Sequence, residues 1–69
     1  MLKRSLTISG HRTSLALEPE FWDALRDLAS ARGQTVTEAI AAIDRERSGT
    51  NLASAIRVAS LKHYRQDKT

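Results

Sequence analysis

The chain has 69 residues, with 11 lysines and arginines against 8 aspartates and glutamates, a net charge of +3 with neutral histidines. It has no cysteine and three aromatic residues, Phe21, Trp22 and Tyr64, which excludes a disulfide framework or thiolate metal site and limits the molecule to one small core. Its apolar runs fall far short of the ~20 residues of a membrane span, and Leu2 to Ile8 is too short and polar for a secretory signal, so a soluble cytoplasmic protein without a membrane partner is expected.

In chain order, residues 1–10 read as a basic N-terminal arm carrying Lys3 and Arg4, because two or three apolar residues are too few to hold a flanking strand. The alternative is a strand over residues 3–8, where Leu6 and Ile8 alternate with Thr7 and Ser9, turned back by Ser9 and Gly10 into a hairpin. Residues 11–69 are then the folded domain.

The stretch HRTSLALEP, His11 to Pro19, holds the one strict two-residue alternation of the sequence. As a strand it points His11, Thr13, Leu15 and Leu17 to one face and Arg12, Ser14 and Ala16 to the other. A lone strand leaves backbone donors and acceptors unpaired along both edges, and a chain of this size is marginal alone. The obvious donor of a partner strand is a second copy of the same chain.

A first helix is predicted to start at Pro19, whose fixed φ suits the first helical position, with Glu18, Glu20 and Asp23 placed favourably for the helix dipole. Phe21 or Trp22, then Leu25, Leu28 and Ala29, form its apolar stripe, and Gly33 ends it. Adjacent on the helix, the Phe21 and Trp22 rings point ~100° apart, so one anchors the core and the other sits at its edge or at an intersubunit contact.

Thr35-Val36-Thr37-Glu38 fits a capping box and opens a second helix over residues 36–47, with Val36, Ala39, Ile40 and Ile43 inward and Ser48 and Gly49 as its stop. A third helix follows a Thr50 or Asn51 cap, with Leu52, Ala55, Ile56, Val58, Ala59 and Leu61 as a broad apolar face, and ends near Tyr64 and Arg65.

Charge is distributed unevenly along these elements. Residues 1–17 hold three bases and no acid, residues 18–48 seven acids against four bases, and residues 49–69 four bases against one acid. Such a split suits one surface that meets a polyanion and another that does not; a solvated basic terminus is the plainer reading.

Catalytic and metal chemistry find little support. His11 and His63 lack a carboxylate or second histidine at ligand spacing. Asp23, Asp27, Glu38 and Asp44 fall on helix faces expected to be wet, with no glycine-rich loop or nucleophile elbow nearby. No enzyme, no metal site and no cofactor are expected.

A basic strand of alternating pattern, a proline-initiated helix with aromatic and leucine anchors, a glycine and a threonine-capped second helix resemble, in this order, the ribbon-helix-helix family of bacterial repressors, the Arc and MetJ type. The string HRTSLALEPEFWDALRDLASARG looks particularly like a branch of short bacterial proteins of that family, and the third helix would be that branch's C-terminal extension. The match runs from Arg12 to about Arg47.

The resemblance implies a mainly α fold with one short strand pairing across an intertwined homodimer. Its core would hold Leu15, Leu17, Phe21, Trp22, Leu25, Leu28, Val36, Ile40 and Ile43. It implies double-stranded DNA as partner: a two-stranded antiparallel ribbon enters the major groove, where Arg12, Ser14 and Ala16 meet base edges. Ala16 departs from the pattern, since a long polar residue is common there. Lys3 and Arg4, with Thr35, Val36 and Thr37 at the second helix's start, would contact phosphates. The implied function is a transcriptional repressor or regulator. The alternative is a protein-interaction module, such as an antitoxin, in which the same dimer presents the third helix or the C-terminus to a protein partner, with DNA binding secondary or absent.

Overall fold

A computed structural model describes residues 1–66 of the chain. Two strands, β1 (Leu2–Ile8) and β2 (His11–Leu17), are followed by three helices, α1 (Pro19–Ala31), α2 (Val36–Glu46) and α3 (Leu52–Gln66). The strands form one antiparallel hairpin, in register from Leu2 opposite Leu17 to Ile8 opposite His11. Ser9 and Gly10 make its turn with φ of 51° and 81°, the paired left-handed conformation whose twist matches that of the strands it joins. Glycine takes this conformation freely and serine less so.

The hairpin corrects the reading of residues 1–10 as an arm. β1 is a strand, and the partner that β2 acquires along this edge belongs to its own chain. The physical reason lies beyond the strand itself. Trp22 Nε1 donates to the Leu2 carbonyl oxygen at 2.9 Å, and the Arg4 guanidinium lies 4.9 Å from the centre of the Trp22 ring, so one indole pins β1 by a hydrogen bond and a cation–π contact. Ile8, 4% exposed, adds an apolar anchor at the other end.

The helices start and stop where local chemistry dictates. Pro19 opens α1, and Gly33, at φ 67°, closes it with Gln34 N–H donating to the Ala29 carbonyl at 2.9 Å and Gly33 N–H to that of Ser30 at 3.1 Å, the left-handed helix ending that glycine favours. The capping box of α2 is complete: Glu38 N–H donates to Thr35 Oγ1 at 3.1 Å and Thr35 N–H to Glu38 Oε1 at 2.8 Å. For α3 the cap is Asn51, whose Oδ1 accepts from the Ser54 amide at 2.8 Å.

The helices and the inner face of the hairpin enclose a single core of Ile8, Leu15, Leu17, Trp22, Leu25, Leu28, Ala29, Ala39, Ile40, Ile43 and Ile56. Phe21 and Val36, expected with them, are half-buried at its edge. Leu15 and Leu17 are thus covered without a second copy, partly because α3 brings in Ile56, which is fully buried. Arg57 ties α3 to the junction of β2 and α1 through a forked contact with Glu18, at 2.8 and 3.0 Å from its Nη2, and the Tyr64 hydroxyl donates to Asp27 at 2.6 Å.

The broad apolar face expected of α3 is split. Ile56 points inward, whereas Val58 and Leu61 are 51% and 57% exposed. Ser60 takes the inward position one turn beyond Ile56, 1% exposed and with its hydroxyl unpartnered.

Candidate nucleic-acid interface

The two-residue turn makes Ile8 and His11 a hydrogen-bonded pair, and alternation along the ladder follows from it. Leu6 with Thr13, Arg4 with Leu15 and Leu2 with Leu17 lie on the inner face. The intervening pairs Thr7 with Arg12, Ser5 with Ser14 and Lys3 with Ala16 turn outward, in the positions where cross-strand side chains approach most closely.

This outer face carries no acid. Its centre is the two serine hydroxyls, Lys3 and Arg12 stand at diagonally opposite corners, and all six residues are exposed except the half-buried Ala16. A pair of strands ~4.8 Å apart is narrower than a major groove ~12 Å wide, and the face offers small donors and acceptors flanked by two cations. The residues expected at base edges, Arg12, Ser14 and Ala16, therefore share one surface.

Lys3 joins that surface and Arg4 does not. Neighbours on a strand point to opposite faces, so Arg4 lies on the inner side against Trp22. Ser5 and Thr7 belong to the outer face although the sequence reading placed neither there. The alternation of Leu6 and Ile8 with Thr7 and Ser9 was the available signal.

The same ladder geometry directs the backbone N–H and C=O groups of Arg12, Ser14 and Ala16 away from β1, toward the unpaired edge of β2. That edge belongs to the same three residues that turn their side chains outward.

At the start of α2, the capping box occupies the Thr35 amide and hydroxyl and sets the Glu38 carboxylate beside them. The amides of Val36 and Thr37 remain as first-turn donors without intrahelical acceptors. The helix end has donors for a phosphate, and a carboxylate that offsets part of their attraction.

Among titrating groups, Glu18 is held below its ordinary carboxyl value of 4.5, first by a backbone hydrogen bond and then by the Arg57 guanidinium. Among the described residues no group of three or more histidines, cysteines or carboxylates converges as a metal site, and no described helix is long and apolar enough to cross a membrane.

In comparison with known proteins, the family model of the ribbon-helix-helix domain matches residues 1–64. No curated protein and no solved structure matches the chain.

Proposed function

The chain belongs to the ribbon-helix-helix family, whose domains bind DNA and dimerise, and on that premise we propose that it is a sequence-specific double-stranded DNA-binding regulator acting as a cytoplasmic homodimer. The observation that carries this reading is the acid-free outer face of the hairpin, with Arg12, Ser14 and Ala16 turned away from the core. Arg12 would fork onto guanine O6 and N7, Ser14 would bond to a base edge, and Ala16 would touch a thymine methyl.

Two copies would join by pairing their β2 edges antiparallel about Ser14, where backbone groups already point outward. The resulting four-stranded sheet places the two β2 strands at its centre and β1 at each side. Its outer strands stand ~14 Å apart, three strand spacings, against a groove ~12 Å wide. The central pair would enter the groove while each β1 rides on a wall, bringing Lys3 to the phosphates. The Val36 and Thr37 amides would provide a further backbone contact.

The reading is tested by selecting bound sites from a random duplex library, then titrating the selected and random duplexes over a range of salt. Preferential binding of the selected duplex, with log K falling linearly against log salt, is the expected result. Absence of duplex binding even at low salt overturns it. The interaction-module reading then takes over, favoured by one observation: Val58 and Leu61 stand exposed on α3, as a surface offered to a protein partner would.

A further inference from the structure

Away from the ribbon, α1 and α3 border an apolar groove of about 400 Å³ whose walls include Phe21, Ala24, Val58, Leu61 and Tyr64. Val58, Leu61 and Tyr64 are 51%, 57% and 40% exposed, and side chains of this kind grouped on one groove mark an interaction surface. The flanks carry opposite charge. Along α1, Glu20, Asp23 and Asp27 recur at helical spacing as one acidic row, in which Asp23 also pairs with Arg26 and Asp27 accepts from the Tyr64 hydroxyl; on α3, the exposed Lys62 and Arg65 form a basic one.

We infer that this α1/α3 face docks onto the same face of a second copy, by a contact separate from the β2 edge. A two-fold axis running along the groove lays α1 of one copy over α3 of the other, so the apolar strips meet and each acidic row faces a basic one. A surface of this pattern is complementary to itself, as an isologous contact requires. Nucleic acid is a poor occupant because the acidic row repels phosphate. Helices of 13 and 15 residues are ~20 Å long, so the strip covers ~400 Å² per copy, about half that of a standard stable interface. The association is therefore weak and reversible.

The experiment needs no DNA. Glu20→Lys with Asp23→Lys makes both flanks basic; Lys62→Glu with Arg65→Glu makes both acidic. Sedimentation equilibrium of wild type, each variant alone and their equimolar mixture reads the contact. Wild type should rise with concentration to at least twice the mass of either variant, and the mixture should regain that doubling, since each basic flank then meets an acidic one. Pairing through β2 alone would raise the mass of every sample alike and leave the four masses equal. A mixture that stays at the single-variant mass, or four equal masses, overturns the inference. Should either charge variant lose its helical circular dichroism, Leu61→Asp decides with all charges native: a mass equal to wild type at every concentration overturns the docking, and loss of the doubling supports it.

Discussion

Glu18 and Arg57, 39 residues apart in sequence, meet in a forked ion pair that joins the end of β2 to the middle of α3. The pair fixes the helix whose Ile56 helps to cover Leu15 and Leu17. The Arg57 guanidinium also lies 5.7 Å from the centre of the Phe21 ring, so the same side chain packs the half-buried edge of the core.

The depressed Glu18 carboxyl gives this clamp a pH dependence. A group whose folded pKa lies below its unfolded value contributes stability above the unfolded value and loses it as pH falls through the folded one. The contribution should therefore be present at neutral pH and fade below the ordinary carboxyl value of 4.5. Thermal melts from about pH 7 down to about pH 3 should show a smaller drop in Tm for Glu18→Gln than for wild type. Parallel curves would mean that other carboxylates carry the acid sensitivity.

Leu17 is fully buried, and Leu17→Ala should cost ~2 to 5 kcal/mol through lost burial and the cavity beneath the hairpin. Urea denaturation measures it. Wild-type stability in this variant would refute the assigned strand register.

Ser60 offers the opposite sign. Its hydroxyl is buried without a partner in the interior of α3, so Ser60→Ala removes a desolvated polar group and improves helix propensity, worth about 1 kcal/mol in favour of folding. A lower urea midpoint would show that the hydroxyl is satisfied after all.

Arg12, Lys3 and Arg4 should separate into three behaviours. Arg12→Ala should leave folding intact and weaken binding to the selected site by ~1 to 3 kcal/mol for a lost bidentate base contact, narrowing the gap to random DNA. Lys3→Ala should weaken both duplexes alike and reduce the salt slope by ~0.9 for the lost phosphate contact. Arg4→Ala should instead lower Tm by loosening β1 from Trp22. Anisotropy titrations and melts on the three variants measure this together; equal losses on both duplexes for Arg12→Ala would displace the reading head from the ribbon.

The legible parts of the fold were those set by neighbours in sequence. The Thr35–Glu38 box, Pro19, Gly33 and the alternation of Thr13, Leu15 and Leu17 each act over a few residues, and each element they imply is present. β1 was ambiguous because its anchors are remote: Trp22 reaches Leu2 across 20 positions, and no feature of residues 1–10 announces it. The outward turn of Val58 and Leu61 was hidden for a related reason. An apolar stripe wider than the space beneath it must leave part of itself outside, and the width of that space is set by α1 and α2. Of the candidate interface, the shared outer face of Arg12, Ser14 and Ala16 followed from period two and their place at base edges from the family resemblance, whereas Ser5 and Thr7 required knowing that β1 exists.

The Ser9–Gly10 turn also sets the order in which the molecule assembles. Closing a two-residue loop costs little chain entropy, and hairpins form in ~1 to 10 μs. The outer face can thus take shape early, from residues 2–17 alone, while the core that buries Leu15 and Leu17 is completed by Ile56, about 40 residues further along the chain. A hairpin formed ahead of its support leaves Leu15 and Leu17 bare beneath it and is only marginally stable until the helices pack. The interval until α3 docks is when this chain is most exposed to aggregation, and substitutions that delay the Glu18–Arg57 clamp should lower its yield in cells more than they lower its equilibrium stability.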